Sequence, residues 1–466
     1  MTEKSAPSSD SWPKQTVRGV EPARLLTRRD PLAEIRIRIV MSKHLFTAVF
    51  TLFFATLFPA TFAVAQTDTR QPAQSGATGM AEEKCTPADR RKGREAGHWL
   101  YKGYRAYQQG EMATAGRYFR HALKLSKEAC DREVQAAALL NLGAVAIKAE
   151  KMKEAHGYLR SALEISSEIG HEGIQGPALS NLGVVAKIRG KLAEAEEAYR
   201  RALPLAESPA DRAGYLGNLA NVLLIRGEID AALSLYKQVL EISEHHMLGR
   251  GNAHTGLGEI AQVRGNLAAA EKHFRHALKL FKKIRDEKRQ STVLAHLGRN
   301  ALLQGDLQEA EARLKESLAL AEELGSARPQ ARALEYSGEL ARLRGNLAEA
   351  EKLCKRAQKL YQRGEDRYGQ ASVLGNLGAV ALDRGEFAQS ADLLVRALTI
   401  FEEMGAENAE VAQFERWRGQ ALEGQGQTAG ACAAWRRSQN LYRRLGSEGQ
   451  ARNVEELMTK AGCPGE

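Results

Sequence analysis

Apolar and small residues recur along most of this chain at the three- and four-residue spacing of amphipathic helices. Residues 181–203 (NLGVVAKIRGKLAEAEEAYRRAL) show the repeating unit, in which two helical stretches carry the small residues Gly183 and Ala195. An Arg189-Gly190 step separates them. Glycine just after a helix adopts the left-handed backbone conformation that ends it. The stretch therefore predicts a helical hairpin.

The unit recurs nine times, 37 to 41 residues apart. The small residue of the first helix is, in order, Gly103, Gly143, Gly183, Ala220, Gly258, Gly298, Gly338, Gly378 and Gly419. A second small residue follows twelve positions later in every copy: Ala115, Ala155, Ala195, Ala232, Ala270, Ala310, Ala350, Ser390 and Ala431. Small residues on both helices let the pair approach closely. The pattern predicts an all-α solenoid over residues 87–445.

Eight of the nine copies place a glycine at the turn between the two helices: Gly110, Gly190, Gly227, Gly265, Gly305, Gly345, Gly385 and Gly426. The second copy has Glu150 there. A left-handed backbone is unfavourable for a residue with a Cβ. We therefore expect a locally strained turn at Glu150. Residues 446–466 follow the array, and their amphipathic stretch with Val454 and Leu457 predicts a capping helix and tail.

This pattern resembles the tetratricopeptide repeat family, whose motif combines small, aromatic and small residues at fixed places. Trp99, Gly103, Ala115, Phe119 and Ala122 fill those places in the first copy. The period exceeds the usual value of about 34 residues, and the longer units resemble the repeats of kinesin light chain and of spindle-orientation adaptors. The resemblance implies a right-handed superhelix that binds a protein or extended peptide on its concave face.

The N-terminal region carries an export signal. An uncharged apolar run, residues 45–58, begins after Lys43 and is followed by Ala63-Val64-Ala65. This arrangement predicts a signal peptide over residues 41–65, with cleavage before Gln66 and a periplasmic or extracellular protein. An uncleaved membrane anchor is the alternative. Residues 1–40 are interpreted as an over-called extension before the true start at Met41, and residues 66–86 as a flexible spacer.

Composition, charge and motifs indicate which partners and cofactors the sequence predicts. The formal net charge is +10, but basic and acidic residues are interspersed and no basic tract with aromatic residues appears. We therefore expect no nucleic-acid partner, and membrane contact only through the export signal. No catalytic motif is present, and His273 and His276 have no third ligand at matching spacing. The sequence predicts a non-catalytic scaffold without metal or cofactor.

Five cysteines in an exported chain raise the question of disulfides. Cys85 and Cys130 flank the first hairpin, and Cys432 and Cys463 flank the last helix pair. Antiparallel helices bring each pair of ends together, so we predict the bridges 85–130 and 432–463. Cys354 is expected to be a small core residue. The alternative is that all five thiols are free.

The family resemblance implies that the first helices line the concave surface. The residues two positions before the first small residue are then groove candidates, and they are Asn141, Asn181, Asn218, Asn376, Tyr101, His296, Tyr336 and Trp417. Further candidates by position are Arg299, Glu339, Arg342, Arg416, Asn221 and Gln262.

A ladder of asparagine amides can donate to and accept from an extended peptide backbone. The alternative is that each asparagine binds a neighbouring repeat and fixes the stacking. At the level of the whole protein, the alternatives to a peptide-binding scaffold are a structural subunit of a cell-envelope assembly, acting through its outer face or ends, and a small-molecule sensor.

Overall fold

The computed structural model describes residues 87–464. This part of the chain contains nineteen α-helices and no strand. The helices are α1 (Pro87–Gln108), α2 (Met112–Glu128), α3 (Arg132–Lys148), α4 (Met152–Glu168), α5 (Glu172–Ile188), α6 (Leu192–Ala202), α7 (Pro209–Ile225), α8 (Ile229–Ile242), α9 (Met247–Val263), α10 (Leu267–Lys283), α11 (Glu287–Gln304), α12 (Leu307–Glu323), α13 (Ala327–Leu343), α14 (Leu347–Arg363), α15 (Arg367–Asp383), α16 (Phe387–Met404), α17 (Ala409–Gly424), α18 (Thr428–Arg444) and α19 (Glu448–Lys460). The predicted nine hairpins and the capping helix are confirmed.

In eight of the nine hairpins the small residue of the first helix is a glycine that lies directly against a side chain of the second helix. A Cβ added to Gly183 would lie 2.7 Å from the Tyr199 ring. A Cβ on Gly298 would lie 2.7 Å from Leu314. Such distances are shorter than any carbon–carbon contact, so a side chain at these places would push the two helices apart. The small residues that define the repeat are therefore required by packing.

The third repeat departs from the 40-residue spacing for a visible reason. Its second helix, α6, stops at Ala202 and continues as a short 3-10 turn, Leu203–Leu205. Pro204 lies inside that turn, and proline lacks the N–H that a longer α-helix needs. This shortening accounts for the 37-residue step between Gly183 and Ala220.

The turn at Glu150 has the strained geometry that the sequence predicted, with φ at +59°. Three further residues with a Cβ also have positive φ, and these were not anticipated: Cys130, Arg285 and Glu365. All three lie in loops that follow a second helix, where the backbone must also leave the helix through a left-handed residue.

The array coils so tightly that hairpin turns of early repeats contact the loops that follow later repeats. We call this contact the seam. The Glu407 N–H, after repeat 8, donates to the Ile225 carbonyl of repeat 4 at 3.3 Å. The Arg328 N–H, after repeat 6, donates to Glu150 Oε1 of repeat 2, also at 3.3 Å. In both cases an early turn meets the loop that comes four repeats later.

The seam also buries apolar surface. Met404 and Leu445, 5% and 1% exposed, belong to one apolar cluster with Leu224 and Tyr236 from repeat 4. On the polar side, Arg189 Nε lies 3.7 Å from Glu365 Oε2. Repeats far apart in sequence therefore share a core, and the solenoid is held by more than contacts between neighbouring repeats.

The C-terminal end is closed by α19, whose Ala451 and Val454 are fully buried. The predicted disulfide between Cys432 and Cys463 is present, with a Cα–Cα distance of 5.6 Å. Cys354 is a core residue as expected, at 1% exposure.

The predicted bridge from Cys130 to Cys85 involves a residue outside the described range, so it stays a prediction. The proposed extension, signal peptide and spacer, residues 1–40, 41–65 and 66–86, also lie outside that range. None of the helices between residues 87 and 464 combines the length and apolar character needed to span a bilayer.

Two turn glycines provide a matched test of the seam. Gly227 and Gly305 both have φ at +81°, but a Cβ on Gly227 would collide with the Glu407 carbonyl oxygen, whereas one on Gly305 would meet nothing within 4 Å. We expect Gly305→Ala to cost about 1–2 kcal/mol for the left-handed backbone alone. Gly227→Ala should cost at least about 1 kcal/mol more, because the seam must open or distort. Urea denaturation of both variants measures the difference, and equal losses would contradict the seam.

Candidate functional site

A cavity of about 520 Å³ lies inside the superhelix. Its wall comes mainly from the first helices of repeats 4 to 9, with Lys187 and Ile188 added from repeat 3. This agrees with the expectation that first helices form the inner surface. The structure places nine of the sequence-predicted residues in this wall: Asn218, Asn221, Gln262, His296, Arg299, Tyr336, Glu339, Asn376 and Trp417.

The other predicted groove residues lie elsewhere. Asn141 and Asn181 are 2% and 3% exposed and are not part of the cavity wall. Tyr101 lies on the surface of repeat 1 at 46% exposure. Arg342 lies beside the cavity, with its guanidinium 5.5 Å from the centre of the Trp417 ring and Nη1 2.8 Å from Asp383. The predicted ladder therefore does not run along one continuous surface.

The two asparagines of the predicted ladder that lie in the wall, Asn218 and Asn376, differ in their contacts. Asn376 donates to Glu335 Oε1 on the preceding repeat at 2.9 Å, so it contributes to stacking. The Asn218 side chain lines the cavity, and no side-chain hydrogen bond joins it to another residue between 87 and 464. Asn218 is thus the ladder residue whose donor and acceptor are both available to a ligand.

Aromatic and charged groups share the C-terminal side of the cavity. The Arg299 guanidinium lies 5.3 Å from the Tyr336 ring centre, and its Nη1 is 3.6 Å from Glu410 Oε1. Phe414 and Trp417 stack with ring centres 5.6 Å apart. A cation over an aromatic face is attracted by the ring quadrupole, which fixes the arginine side chain against the wall.

Glu335 is a buried carboxylic acid that accepts hydrogen bonds from three donors. It accepts from the Tyr361 hydroxyl at 2.7 Å, from Asn376 and from the Ser372 hydroxyl. These bonds favour the carboxylate, but burial, together with the negative charge of Glu410, raises the pKa of Glu335 to about 7. The residue therefore changes charge near neutral pH.

His296 supports the wall from within. It is 3% exposed, and its Nε2 lies 3.0 Å from Arg332 Nη1 and 3.1 Å from Glu259 Oε1. Burial and the positive charges of Arg332 and Arg299 hold the pKa of His296 well below its ordinary value. The imidazole is neutral at physiological pH, and its ring stacks on Phe274 at 5.4 Å.

The sequence pattern did not identify several residues of the cavity wall, among them Arg332, Gln413 and Arg328. Arg332 precedes Tyr336 by four residues, and Gln413 precedes Trp417 by four. Residues four apart lie on the same helix face, so this spacing was an available signal. Arg328 is different, because it lies near a loop and reaches the cavity only through the coiling of the superhelix.

The arrangement provides separated hydrogen-bond donors, acceptors and aromatic faces. Asn218 offers both halves of an amide, Arg332 offers a guanidinium bound to a neutral histidine, and Glu339 offers a carboxylate. Between residues 87 and 464, no group of three or more histidine, cysteine, aspartate or glutamate side chains is arranged to hold a metal ion. Such a wall suits the alternating polar groups of an extended chain.

The titration of Glu335 predicts a pH-dependent stability. Since the folded protein retains this proton to about pH 7 while the unfolded chain loses it near pH 4.3, the unfolded state binds fewer protons in that window. The free energy of unfolding should therefore fall as pH rises from about 4.3 to about 7. Glu335→Gln cannot titrate, so its stability relative to the native protein should be more favourable at pH 8 than at pH 5. Urea denaturation at both pH values measures this, and an unchanged difference would contradict it.

Comparison with known proteins supports the architecture. A family model described as tetratricopeptide repeat matches residues 98–168, 175–245, 249–323 and 329–403. No curated protein matches this sequence. The fold is similar to that of a Rap protein solved in complex with competence and sporulation factor, with a TM-score of 0.57 and 15% identity over 76% of this chain and 99% of that one.

A second solved structure is matched over a smaller share of its own length. It is a STAND-type signal transduction ATPase with a tetratricopeptide repeat sensor from Pyrococcus horikoshii, with a TM-score of 0.43 and 14% identity over 75% of this chain and 54% of that one. The four matched segments of the family model span more than half of this sequence. The chain belongs to the tetratricopeptide repeat family.

Proposed function

We propose that this protein is an exported, non-catalytic scaffold that binds an extended peptide or protein segment inside the cavity. The observation that carries the proposal is the free Asn218 amide in a wall of mixed charges and aromatic rings. A peptide backbone presents a donor and an acceptor at every residue, and one amide side chain pairs with both. The Trp417 and Tyr336 rings, which line the same cavity, offer apolar faces to the side chains of the peptide.

The fold comparison supports this use of the interior. The Rap protein with a similar fold was solved in complex with competence and sporulation factor, so a superhelix of this kind is compatible with a bound partner. At 15% identity the likeness concerns the fold, and the ligand of this chain is a separate question. Its chemistry is set by Asn218, Arg332 and the residues around them.

The mechanism is preorganisation. The seam fixes early repeats against late ones, so the two sides of the cavity are already in place before a ligand arrives. Binding then orders the ligand more than the receptor, which lowers the entropic cost of association.

Asn218→Leu tests the proposed contact, because it removes the amide while leaving a side chain of similar length. A peptide selected from a random displayed library on the full chain should bind this variant about tenfold more weakly, as expected for the loss of amide hydrogen bonds in a desolvated site. Fluorescence anisotropy with the labelled peptide measures the affinity, and circular dichroism checks helicity.

Tyr101→Ala is the matched control, since Tyr101 is a predicted groove residue outside the cavity. It should leave the affinity unchanged. Loss of binding in the control but not in Asn218→Leu would move the site to repeat 1. Failure to enrich any peptide would overturn the proposed function.

Cleavage of the predicted signal peptide tests the proposed export. The mature protein should begin at Gln66 when the full chain is produced in a bacterial host, because the A-x-A site precedes that residue. N-terminal sequencing of the exported fraction identifies the cleavage point. Ala65→Leu should block cleavage, because the site requires small residues. An intact apolar run in membrane-bound native protein would instead establish the anchor.

A further inference from the structure

The second helices of the nine hairpins differ in net charge. The second helices of repeats 1, 5 and 9, which are α2, α10 and α18, carry +3, +4 and +4. Five of the other six carry between −1 and −3, and α14 of repeat 7 is the exception at +3. Positive second helices thus recur every four repeats. The linear sequence shows no basic tract because four repeats separate one such helix from the next.

Four repeats is also the step of the seam. Its contacts join repeats 2 and 6, 3 and 7, and 4 and 8. A Cβ on Gly446, after repeat 9, would lie 3.7 Å from Arg264 Nε at the turn of repeat 5. Burial raises the pKa of Tyr107 beside the turn of repeat 1, and the positive charge of Arg289, after repeat 5, opposes that rise. Repeats 1, 5 and 9 therefore lie in line along one side of the superhelix.

The three positive helices follow one another along this side. Each second helix runs from the turn of its hairpin to the loop after its repeat. The loop end of α10 therefore lies next to the turn end of α2, and the loop end of α18 lies next to the turn end of α10. Each has 17 residues and is about 25 Å long. The positive charge therefore extends along the superhelix axis.

The basic side chains of α2 and α10 are exposed, and none belongs to the cavity wall. We call them the basic stripe, which consists of Arg117, Arg120, Lys124, Lys127, Lys272, Arg275, Lys279, Lys282 and Lys283. The acids of these two helices, Glu128 and Glu271, pair with Lys92 and Arg275. The lysines of the stripe therefore have no acidic partner on their own helix.

The third positive helix, α18, contributes less free charge. Three of its four arginines form salt bridges with acids of neighbouring segments, as Arg443 does with Glu455 of the capping helix. The helix α14 is isolated in another way, because the second helices on either side of it, α12 and α16, carry −3 and −2. The unneutralised positive charge of the outer surface is therefore concentrated on α2 and α10.

The chemistry of the stripe fits a flat anionic surface. Six of its nine residues are lysines, which are hydrated point charges without the rigid fork by which arginine recognises a particular geometry. None of the exposed large apolar side chains between residues 87 and 464 lies on α2 or α10, so the stripe has no platform on which nucleic-acid bases could stack. A straight stripe on the outside of a superhelix can touch a plane along its whole length.

We propose that the basic stripe docks this protein on a membrane surface rich in anionic phospholipid headgroups, with the superhelix axis parallel to the bilayer. The negative potential of such a surface attracts lysine and arginine side chains that lie within a screening length of it. This contact is additional to the export signal, which the sequence predicts as the only membrane contact. It is independent of what the cavity binds, because the stripe and the cavity wall have no residue in common.

Vesicle binding tests the proposal. Residues 66–466 contain the whole described array and lack the apolar run 45–58, which would itself enter a bilayer. This chain should cosediment with vesicles of phosphatidylglycerol and phosphatidylcholine in equal parts, but not with vesicles of phosphatidylcholine alone. Binding should disappear at about 1 M salt, where the screening length falls to about 3 Å.

A variant of the stripe removes two charges from each helix and combines Lys124→Gln, Lys127→Gln, Lys279→Gln and Lys282→Gln. It should bind the anionic vesicles at least about tenfold more weakly, because each lysine near the surface contributes to the attraction. All four side chains are exposed, so the fold should be retained, and circular dichroism checks the helicity.

The matched control removes the same number of charges from α14 and combines Lys352→Gln, Lys355→Gln, Lys359→Gln and Arg363→Gln. These residues are also exposed, and Lys359 occupies the place in repeat 7 that Lys279 occupies in repeat 5. Because repeat 7 lies two repeats from repeat 5, α14 is on the other side of the superhelix. The control has the same net charge as the stripe variant and should bind like the unmodified chain.

Three results would overturn the proposal. The first is equal binding, or no binding, to the two kinds of vesicle. The second is an equal loss in the stripe variant and the control, which would show that net charge alone decides. The third uses duplex DNA as a probe: a stripe variant that loses affinity for DNA but not for anionic vesicles would assign the stripe to nucleic acid.

Discussion

The structure depends on the close approach of two helices at a residue without a side chain. In eight of the nine hairpins a glycine of the first helix lies against a side chain of the second, as Gly183 lies against Tyr199. Protein interiors are packed so densely that one added carbon displaces its neighbours or lowers stability. Because this contact recurs along the array, it fixes the angle within these hairpins, and the repeated angle sets how the array coils. The seam and the cavity are consequences of that coiling.

The seam distinguishes this solenoid from a simple repeat array. In a simple repeat array each unit contacts only its neighbours, and stability is close to a sum of local terms. Here a backbone hydrogen bond joins Glu407 to Ile225, and one apolar cluster contains residues from repeats 3, 4, 5, 8 and 9. Loss of one middle repeat would therefore also separate distant ones. Long-range contacts of this kind make unfolding more cooperative than in an open array.

Local features could be predicted from the sequence because their causes are local. The hairpins follow from periodicity, the strained turn at Glu150 from the absence of glycine, and the Cys432–Cys463 bridge from antiparallel pairing of adjacent helices. The site could be predicted only in part. Asn218 and Asn141 occupy the same place in the repeat, yet one lines the cavity and the other is buried away from it.

That difference arises from the pitch of the superhelix, which accumulates small rotations over several repeats. No single repeat encodes the pitch, so sequence position alone could not show which first helices enclose a space. The cavity wall illustrates this, because Lys187 of repeat 3 and Asp366 after repeat 7 are far apart in sequence but line the same volume.

A thermodynamic consequence follows from a cavity whose wall comes from both early and late repeats. A ligand that contacts Asn218 on one side and Tyr336 on the other binds only while the seam is closed. By linkage, such a ligand stabilises the closed seam by the same free energy that seam closure contributes to its binding. Residues of the seam then influence affinity without touching the ligand, and the strength of this coupling is set by how often the seam opens in the unbound protein.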